Sequence, residues 1–257
     1  MHVTLSRSGT PVTTFGDLLE KYGPTELDSP FRSTVALLSY WRHAETRLPE
    51  FASALGAPLG DSAELEFEYQ VPVQRGRGKP SCTDLMIQSA DAAVAIEAKS
   101  TEPRYENVRT WLRGESEGNR TAVLDGWLEL LSSMAAAPLT RQQVETLPYQ
   151  LVHRAASACQ PKAKGRWLVY HLFSASRDTA NEYQADLWTL RTLLGSAPLE
   201  IRLVWSERRP TPRFAELSAR WRSGEHNLRA PVKAGLEAGD LFVGWGTEEL
   251  PLGPSGG

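Results

Sequence analysis

Cysteine is scarce in this sequence, with Cys82 and Cys159 as its only two copies among 257 residues. Two thiols cannot build the disulfide framework of a small secreted domain. Neither lies in a Cys/His cluster with the spacing of a zinc site. The sequence therefore predicts a protein of a reducing compartment, and we expect it in the cytoplasm.

Long apolar runs are also missing. The first residues, from His2 to Ser8, lack the apolar stretch of a secretory signal peptide. No apolar run approaches the ~20 residues that a membrane-spanning helix needs. Without a signal peptide or a membrane-spanning run, the chain is not expected to have a membrane as a partner.

An excess of positive charge is absent too, since 28 Lys and Arg residues face 31 Asp and Glu residues. The net charge of -3 does not indicate nucleic-acid binding, so contact with a polyanion must come from local patches or bound cations. Hydrophobic residues make up 41% of the chain, which is an ordinary share for a globular protein with a sizeable core.

The sequence does contain clear periodic patterns. Apolar residues from Phe31 to Leu48 recur at helical spacing and predict a first long helix over 31–48. Between Leu65 and Val73, apolar residues alternate with polar ones, which predicts a half-exposed strand. Two further strands, over 82–88 and 93–100, follow across short turns. Three strands joined in this way favour an antiparallel meander.

Later segments alternate helix and strand. Helical patterns fill most of 104–160, and Pro148 is expected to open a separate helix over Tyr149–Cys159 because proline is tolerated in a first turn. The remaining predicted elements are a strand over 166–173, a helix over 179–194, a strand over 199–205 and a helix over 212–221. This order predicts an α/β fold with a mixed central sheet flanked by helices. We assign 1–30 and 226–257 to N-terminal and C-terminal extensions of a domain over 31–225.

Three charged residues stand out on the second and third strands. Side chains of a strand alternate between faces, so Glu97 and Lys99 project to the same side. If Ala90 and Asp91 are the central residues of the turn, Asp84 lies directly opposite Glu97. Opposed Cβ atoms on one face of an antiparallel pair are only ~4.5–5.5 Å apart.

Two carboxylates at that separation repel one another unless a cation lies between them. Mg²⁺ prefers oxygen ligands and usually takes one or two carboxylates. Lys99 adds a positive charge on the same face, where it can stabilise negative charge on a phosphate. Metal, carboxylates and lysine together suit phosphodiester hydrolysis. The simpler interpretation is an ordinary surface pair on a strand, with Asp84 as a separate charge near the turn.

Asp84, followed after twelve residues by Glu97-Ala98-Lys99, resembles the signature of the PD-(D/E)XK nuclease superfamily. The resemblance covers roughly 31–173 and implies a restriction-endonuclease-like α-β-β-β-α-β core, here with additional C-terminal α/β elements. Thr83 stands where the pattern has a proline, and Pro80 lies farther upstream. The superfamily includes restriction endonucleases and repair nucleases.

The resemblance implies that Asp84, Glu97 and the backbone carbonyl of Ala98 hold Mg²⁺, with Mn²⁺ expected to substitute. Lys99 would orient or activate the attacking water. The implied function is a metal-dependent endonuclease that acts on DNA in restriction, defence or repair, alone, as a homodimer or with a partner protein. RNA remains an alternative substrate. A catalytically silent nuclease-fold protein that binds nucleic acid or serves in assembly is the main alternative, and a chance match in an unrelated α/β protein is another.

Supporting residues are predicted on the helix over Tyr149–Cys159. Gln150, His153, Arg154 and Ser157 fall on one polar stripe. Superfamily members often carry a glutamine that faces the site on the helix after the E-x-K, and Gln150 is the candidate. Arg154, together with Ser157, is expected to contact nucleic acid, since a guanidinium binds phosphate oxygens well. A normal amphipathic helix with a solvated polar face would give the same stripe.

Two further glutamates are candidate metal ligands. Glu45 lies on the apolar stripe of the first predicted helix, where an acid is costly unless it is paired or near a metal. It could equally be solvated at the frayed end of that helix. Glu68 shares a face of the first strand with Glu66, and that face is either an extension of the site or plain solvated surface.

Overall fold

The computed structural model describes residues 1–113, 117–196 and 198–253. Alternating or wholly apolar segments form the strands, as their patterns predict. The strands are β1 (His2–Arg7), β2 (Thr10–Val12), β3 (Ser62–Val71), β4 (Ser81–Gln88), β5 (Ala92–Lys99), β6 (Gly165–Phe173), β7 (Leu199–Pro210) and β8 (Phe242–Leu250).

The helices follow the segments of helical periodicity. They are α1 (Phe15–Glu20), α2 (Ser33–Trp41), α3 (Ala44–Leu55), α4 (Val108–Leu112), α5 (Glu117–Ser132), α6 (Arg141–Val144), α7 (Tyr149–Cys159), α8 (Arg177–Leu194), α9 (Pro212–Arg222) and α10 (Arg229–Ala238), with a short 3₁₀ turn at Pro24–Glu26. In the described ranges, none of these helices is both long enough and apolar enough to cross a membrane.

All eight strands form one sheet in the order β2-β1-β3-β4-β5-β6-β7-β8. The meander β3-β4-β5 is antiparallel, as the short turns predicted. β5, β6 and β7 run parallel because helices connect them, and a parallel connection needs such a crossover. The mixed sheet of the sequence prediction is therefore confirmed.

Helices cover both faces of the sheet and create two hydrophobic cores. One core lies under α1, α2, α3, α9 and α10 and includes Val94 and Ile96 of β5. The other lies under α4 to α8 and includes Ala93 and Ala95 of the same strand. Because β5 is buried on both faces, its sequence is a nearly continuous apolar run, as expected for a central strand.

The two predicted extensions are part of the same sheet. β1 pairs in parallel with β3, and β2 pairs with β1, so the segment 1–30 supplies one edge. β8 pairs antiparallel with β7 and supplies the other edge. The boundaries at 30 and 226 therefore do not separate the sheet from outlying segments. Thr, Gly and Pro residues in and around β1 and β2, and the glycines within β8, obscured their alternation.

The first predicted helix, over 31–48, is two helices instead. α2 ends at Trp41, and α3 begins at Ala44 after a break at Arg42 and His43. Pro49 lies inside α3, and a proline in a helix disturbs the carbonyl four residues earlier, which here belongs to Glu45. Because α3 begins just before Glu45, the disturbed carbonyl falls in its first turn.

Candidate active site

The hairpin of β4 and β5 has the register that the turn predicted. Leu85 pairs with Ile96, and the amide of Ser89 donates to the carbonyl of Ala92 at 2.9 Å to close the turn. Beyond Leu85 the strands separate. There the Oδ2 of Asp84 accepts a hydrogen bond from the amide of Ala98 at 2.7 Å. The carboxylate replaces a backbone partner, which keeps a buried N–H satisfied where the strands separate.

The faces of β5 are also as predicted. Ala98 packs in the core under α2 and α3, whereas Glu97 and Lys99 project toward α7. Ala93 and Ala95, earlier on the same side of the strand, are both buried. Their small side chains let the helix layer pack closely on the strand, so the site forms at the end of a covered face.

Glu97 is the buried centre of the site, with 1% of its surface exposed. Its Oε1 accepts hydrogen bonds at 2.8 Å from Lys99 Nζ and from Gln150 Nε2. Its Oε2 accepts one at 2.5 Å from Arg154 Nε. Burial alone would raise the pKa of Glu97, but Arg154 and Lys99 outweigh it and the pKa is lowered. Glu97 is therefore ionised at neutral pH.

The polar stripe of α7 faces the sheet and is not solvated. The Nη1 of Arg154 donates to Ser81 Oγ at 2.9 Å, and Ser157 Oγ lies at the same distance from Ser81 Oγ. Ser157 has no exposed surface and Arg154 only 8%. Their hydrogen bonds go to Glu97, Ser81 and the carbonyl of His153, and the nucleic-acid contact expected of these two residues stays a prediction.

His153 completes the network around Ser81. Its Nδ1 lies 2.8 Å from Ser81 Oγ and 3.3 Å from an Arg154 nitrogen, which can only donate. Burial, with Arg154 and Lys99 nearby, lowers the pKa of His153 well below its usual value. The imidazole is therefore neutral, and its Nδ1 acts as an acceptor.

Asp84 is the least satisfied acid of the site. Within the described parts of the chain, its Oδ1 has no hydrogen-bond partner, and the side chain keeps a small exposed area. Burial raises the pKa of Asp84 well above its ordinary value, and the carboxylates of Glu97 and Glu68 raise it further. Lys99 and Arg154 lower this pKa without offsetting the increase, so a further cation at Asp84 would stabilise its charged form.

Glu68 faces Asp84 from β3. The two residues stand opposite each other between the paired positions Phe67–Leu85 and Tyr69–Thr83. Glu68 has a φ of 55°, a left-handed conformation that costs a residue with a Cβ roughly 1–3 kcal/mol. An even number of positions separates Phe67 from Val71, so a regular strand would place both side chains on the same face. Phe67 instead packs in the core under α1 to α3, and Val71 packs in the core under α4 to α8. The side chains of β3 therefore change faces at Glu68.

Two residues beside Glu68 were missed by the sequence analysis. Cys82 donates its thiol proton to Glu68 Oε2 at 2.9 Å. Tyr22 is 1% exposed, and its hydroxyl has no hydrogen-bond partner in the described structure. Burial is the main reason that the pKa of Tyr22 lies well above its usual value, and the charge of Glu68 raises it further. A lone cysteine and a tyrosine from the distant loop after α1 carry no local sequence signal.

Glu45 does not join the site. It is exposed in the first turn of α3, and the buried residues of that helix pack in the core on the other face of the sheet. A groove of about 450 Å³ beside Trp41 includes Glu45, and another of about 650 Å³ lies between Arg75 and Arg141. Neither groove is lined by Asp84, Glu97 or Lys99.

The donor atoms of the site suit a hard cation. Asp84 offers an oxygen that accepts no hydrogen bond from the described residues, and Glu97 offers the remaining lone pair of a carboxylate with three hydrogen bonds. Among the described residues, no group of three or more His, Cys, Asp or Glu side chains is arranged to hold a metal. Mg²⁺ commonly takes one or two carboxylates and keeps several waters, so this finding bears little on a magnesium site.

Replacement of Asp84 by Asn should stabilise the metal-free protein at neutral pH. The pKa of Asp84 is near 3.9 in the unfolded chain and is raised in the folded protein. At a pH between these two values, the unfolded state has lost a proton that the folded state keeps. The free energy of unfolding contributed by this group therefore falls as the pH rises. The advantage of Asp84→Asn should be present in EDTA at pH 7 and vanish as the pH falls to about 4.

Urea denaturation in EDTA across that pH range measures the difference. Each kcal/mol would also raise the melting temperature by roughly 2–4 °C for a chain of this size. Asp91→Asn is a matched control because Asp91 lies in the exposed turn of the same hairpin, paired with Lys164. If Asp84→Asn were less stable than wild type at pH 7, the carboxylate would be satisfied in the folded state.

The model of one protein family, described as "Domain of unknown function (DUF6946)", matches residues 11–209 of the chain. This match includes α7 and the whole β3-β4-β5 meander. No curated protein and no solved structure matches the chain.

Proposed function

Since the chain belongs to the DUF6946 family, whose description leaves its function open, we propose from the geometry of the site that it is a metal-dependent nuclease. The observation that carries this proposal is the meeting of Asp84, Glu97 and Lys99 where β4 and β5 separate. The substrate class is DNA, with RNA as the alternative. Restriction, defence and repair are tasks that suit such an enzyme.

The element order supports a restriction-endonuclease-like core. α3, β3, β4, β5, α7 and β6 follow one another as α-β-β-β-α-β, with the additional helices α4, α5 and α6 between β5 and α7. Asp84 lies on the second strand of this series and Glu97 and Lys99 on the third, which is the arrangement that the PD-(D/E)XK resemblance implies. Gln150 on the following helix hydrogen bonds to Glu97, as the resemblance also implies.

Asp84, Glu97 and the carbonyl of Ala98 would hold Mg²⁺ or Mn²⁺, with Glu68 opposite Asp84 as a further candidate ligand. Such an ion lowers the pKa of a bound water and polarises a phosphoryl oxygen. Gln150 and Arg154 fix the orientation of the Glu97 carboxylate through their hydrogen bonds. A preoriented ligand loses less freedom when it binds its ion.

Lys99 acts as a fixed positive charge in this proposal. Burial would lower the pKa of Lys99, but Glu97 and Asp84 outweigh it and raise the pKa. The ammonium group therefore keeps its proton at neutral pH in the metal-free protein. Its contribution is to orient water and to stabilise the negative charge that develops on the phosphate.

One observation favours a different function, a catalytically silent module that binds nucleic acid or assembles with a partner. Glu97 is engaged by Lys99, Gln150 and Arg154 without any ion, so the site is satisfied in part as it stands. The free oxygen and raised pKa of Asp84 are the reason that we favour the catalytic function. A cytoplasmic location is part of the proposal, and the free thiols of Cys82 and Cys159 support it.

Lys99→Gln provides the test of this function. The wild-type protein should nick or cut plasmid DNA with Mg²⁺ or Mn²⁺, and EDTA should abolish the reaction. Lys99→Gln should slow cleavage by about 10²- to 10³-fold, a typical loss for one electrostatic group in a transition state. Mn²⁺ affinity, measured by calorimetry, should stay within a few-fold of wild type.

Lys164→Gln is the matched control, because Lys164 carries the same charge in an exposed ion pair away from the site. It should cut as fast as wild type. A wild-type protein that binds Mn²⁺ but cuts neither DNA nor RNA would favour the silent module. A Lys99→Gln protein as fast as wild type would refute the assigned role of Lys99.

A further inference from the structure

The loop after β5 carries a feature that the catalytic proposal does not use. This loop, over 100–107, is firmly attached at several points. The carboxylate of Glu102 accepts hydrogen bonds from the amides of Ser33 and Ser100 at 2.7 and 2.8 Å. Arg104 forms an ion pair with Asp186 of α8. The loop therefore holds its side chains in defined positions beside the site.

Tyr105 is exposed on this loop. With 55% of its surface accessible, it is the most exposed aromatic side chain in the described ranges. Its ring centroid lies 5.8 Å from the Nζ of Lys99. Tyrosine rings usually bury most of their area in cores or interfaces, so an exposed ring on an anchored loop beside Lys99 indicates a contact surface.

The charges around the loop do not suit a duplex held by its backbone. Binding of double-stranded DNA depends mainly on Lys and Arg side chains that neutralise phosphates. Arg104 is paired with Asp186, and Arg109, at the start of α4, is paired with Glu145. The chain as a whole has a net charge of -3. A contact with bases would compensate for this weak electrostatic attraction.

We propose that Tyr105 stacks on an unpaired nucleobase adjacent to the phosphate at Lys99, so that the site selects single-stranded nucleic acid. The inference rests on the proposed nuclease function. In a duplex both faces of each base are covered by neighbouring bases, so a ring fixed on the protein can stack only on a base that has left the helix. Stacking of this kind tolerates any base, because every base has a π-face.

Binding in EDTA, where cleavage is blocked, tests the inference directly. The probes are a fluorescent single-stranded oligonucleotide and its own duplex, compared by anisotropy. Tyr105→Leu should weaken single-strand binding by about 5- to 150-fold, the range of one base–aromatic stack, and leave duplex binding within two-fold of wild type. Tyr105→Phe should bind as wild type, because it keeps the ring and loses only the hydroxyl.

A second readout reports the stack itself. A fluorescent adenine analogue in the single strand should be quenched by wild type and by Tyr105→Phe, but not by Tyr105→Leu. Equal losses for single strand and duplex would overturn the inference, as would single-strand binding that does not change in Tyr105→Leu or is undetectable in wild type.

Cleavage with Mg²⁺ separates the two proposals. If wild type binds single strands through Tyr105 but cuts nothing, stacking stands and the nuclease function fails. If wild type cuts, while Tyr105→Leu cuts single strands and duplexes in the same ratio as wild type, the nuclease function stands and stacking fails.

Discussion

Asp84→Asn should slow DNA cleavage by at least about 10²- to 10³-fold at saturating Mg²⁺, the loss typical of one group that stabilises a transition state electrostatically. The substitution removes a negative charge and an anionic oxygen ligand. The amide oxygen of Asn can still accept the hydrogen bond from Ala98 that now reaches Asp84 Oδ2 at 2.7 Å, so the separated strands keep their geometry. Plasmid nicking rates and a calorimetric Mn²⁺ titration measure the two effects.

Loss of activity should accompany loss of Mn²⁺ binding in Asp84→Asn, in contrast to Lys99→Gln. Asp91→Asn, the same chemical change in the exposed turn of the hairpin, should cut at the wild-type rate. The Asp84→Asn protein is also expected to be more stable than wild type in EDTA. An inactive but more stable variant is the signature of a carboxylate kept for function. Undiminished cleavage would exclude Asp84 from the reaction.

Arg154→Leu should destabilise the fold by about 3–5 kcal/mol near neutral pH, because it leaves Glu97 as a buried charge without its strongest partner. Arg154 donates to both Glu97 and Ser81, and Glu97 is 1% exposed. Urea denaturation measures the effect. Arg141→Leu is the matched control, since the Arg141–Asp125 pair is more exposed and surface pairs contribute only ~0–1 kcal/mol.

The lowered pKa of Glu97 determines how the loss of stability in Arg154→Leu depends on pH. The folded pKa of Glu97 is lowered, so its ion pair stabilises the protein above the unfolded pKa, near 4.3, and is lost as the pH falls through the folded value. The difference between wild type and Arg154→Leu should therefore be largest near pH 7 and shrink below pH 4. Adding Glu97→Gln to Arg154→Leu should recover part of the stability at pH 7. A loss that is independent of pH and of Glu97 would mean that Arg154 acts by packing alone.

Much of the site could be predicted because its information is local. The alternation of β5 and the length of one turn fix the faces of Glu97 and Lys99 and their position relative to Asp84. The bounds of α7 follow from Pro148 and from helical spacing. Neither inference needs knowledge of the rest of the chain.

The remaining features depend on contacts between distant segments. Arg154 was expected to face a ligand, but whether a polar stripe faces solvent or a sheet depends on which face the helix packs. Glu68 adopts a left-handed conformation that cannot be predicted from its residue type, because such conformations are expected at glycine or asparagine. Glu45 was misplaced because the break at Arg42 and His43 interrupts the apolar stripe of α2, which leaves Glu45 exposed in the first turn of α3.

The contacts of Glu97 also set an order of events during folding. The hairpin of β4 and β5 closes through a turn of a few residues, whereas Gln150 and Arg154 lie 53 and 57 positions beyond Glu97. Closing the longer span costs more chain entropy, so the hairpin can form before Gln150 and Arg154 contact Glu97. Until the crossover to β6 docks α7, Glu97 remains hydrated on an open hairpin. The proposed chemistry therefore depends on contacts of long sequence separation, so a partly folded chain in which α7 has not docked carries no assembled site.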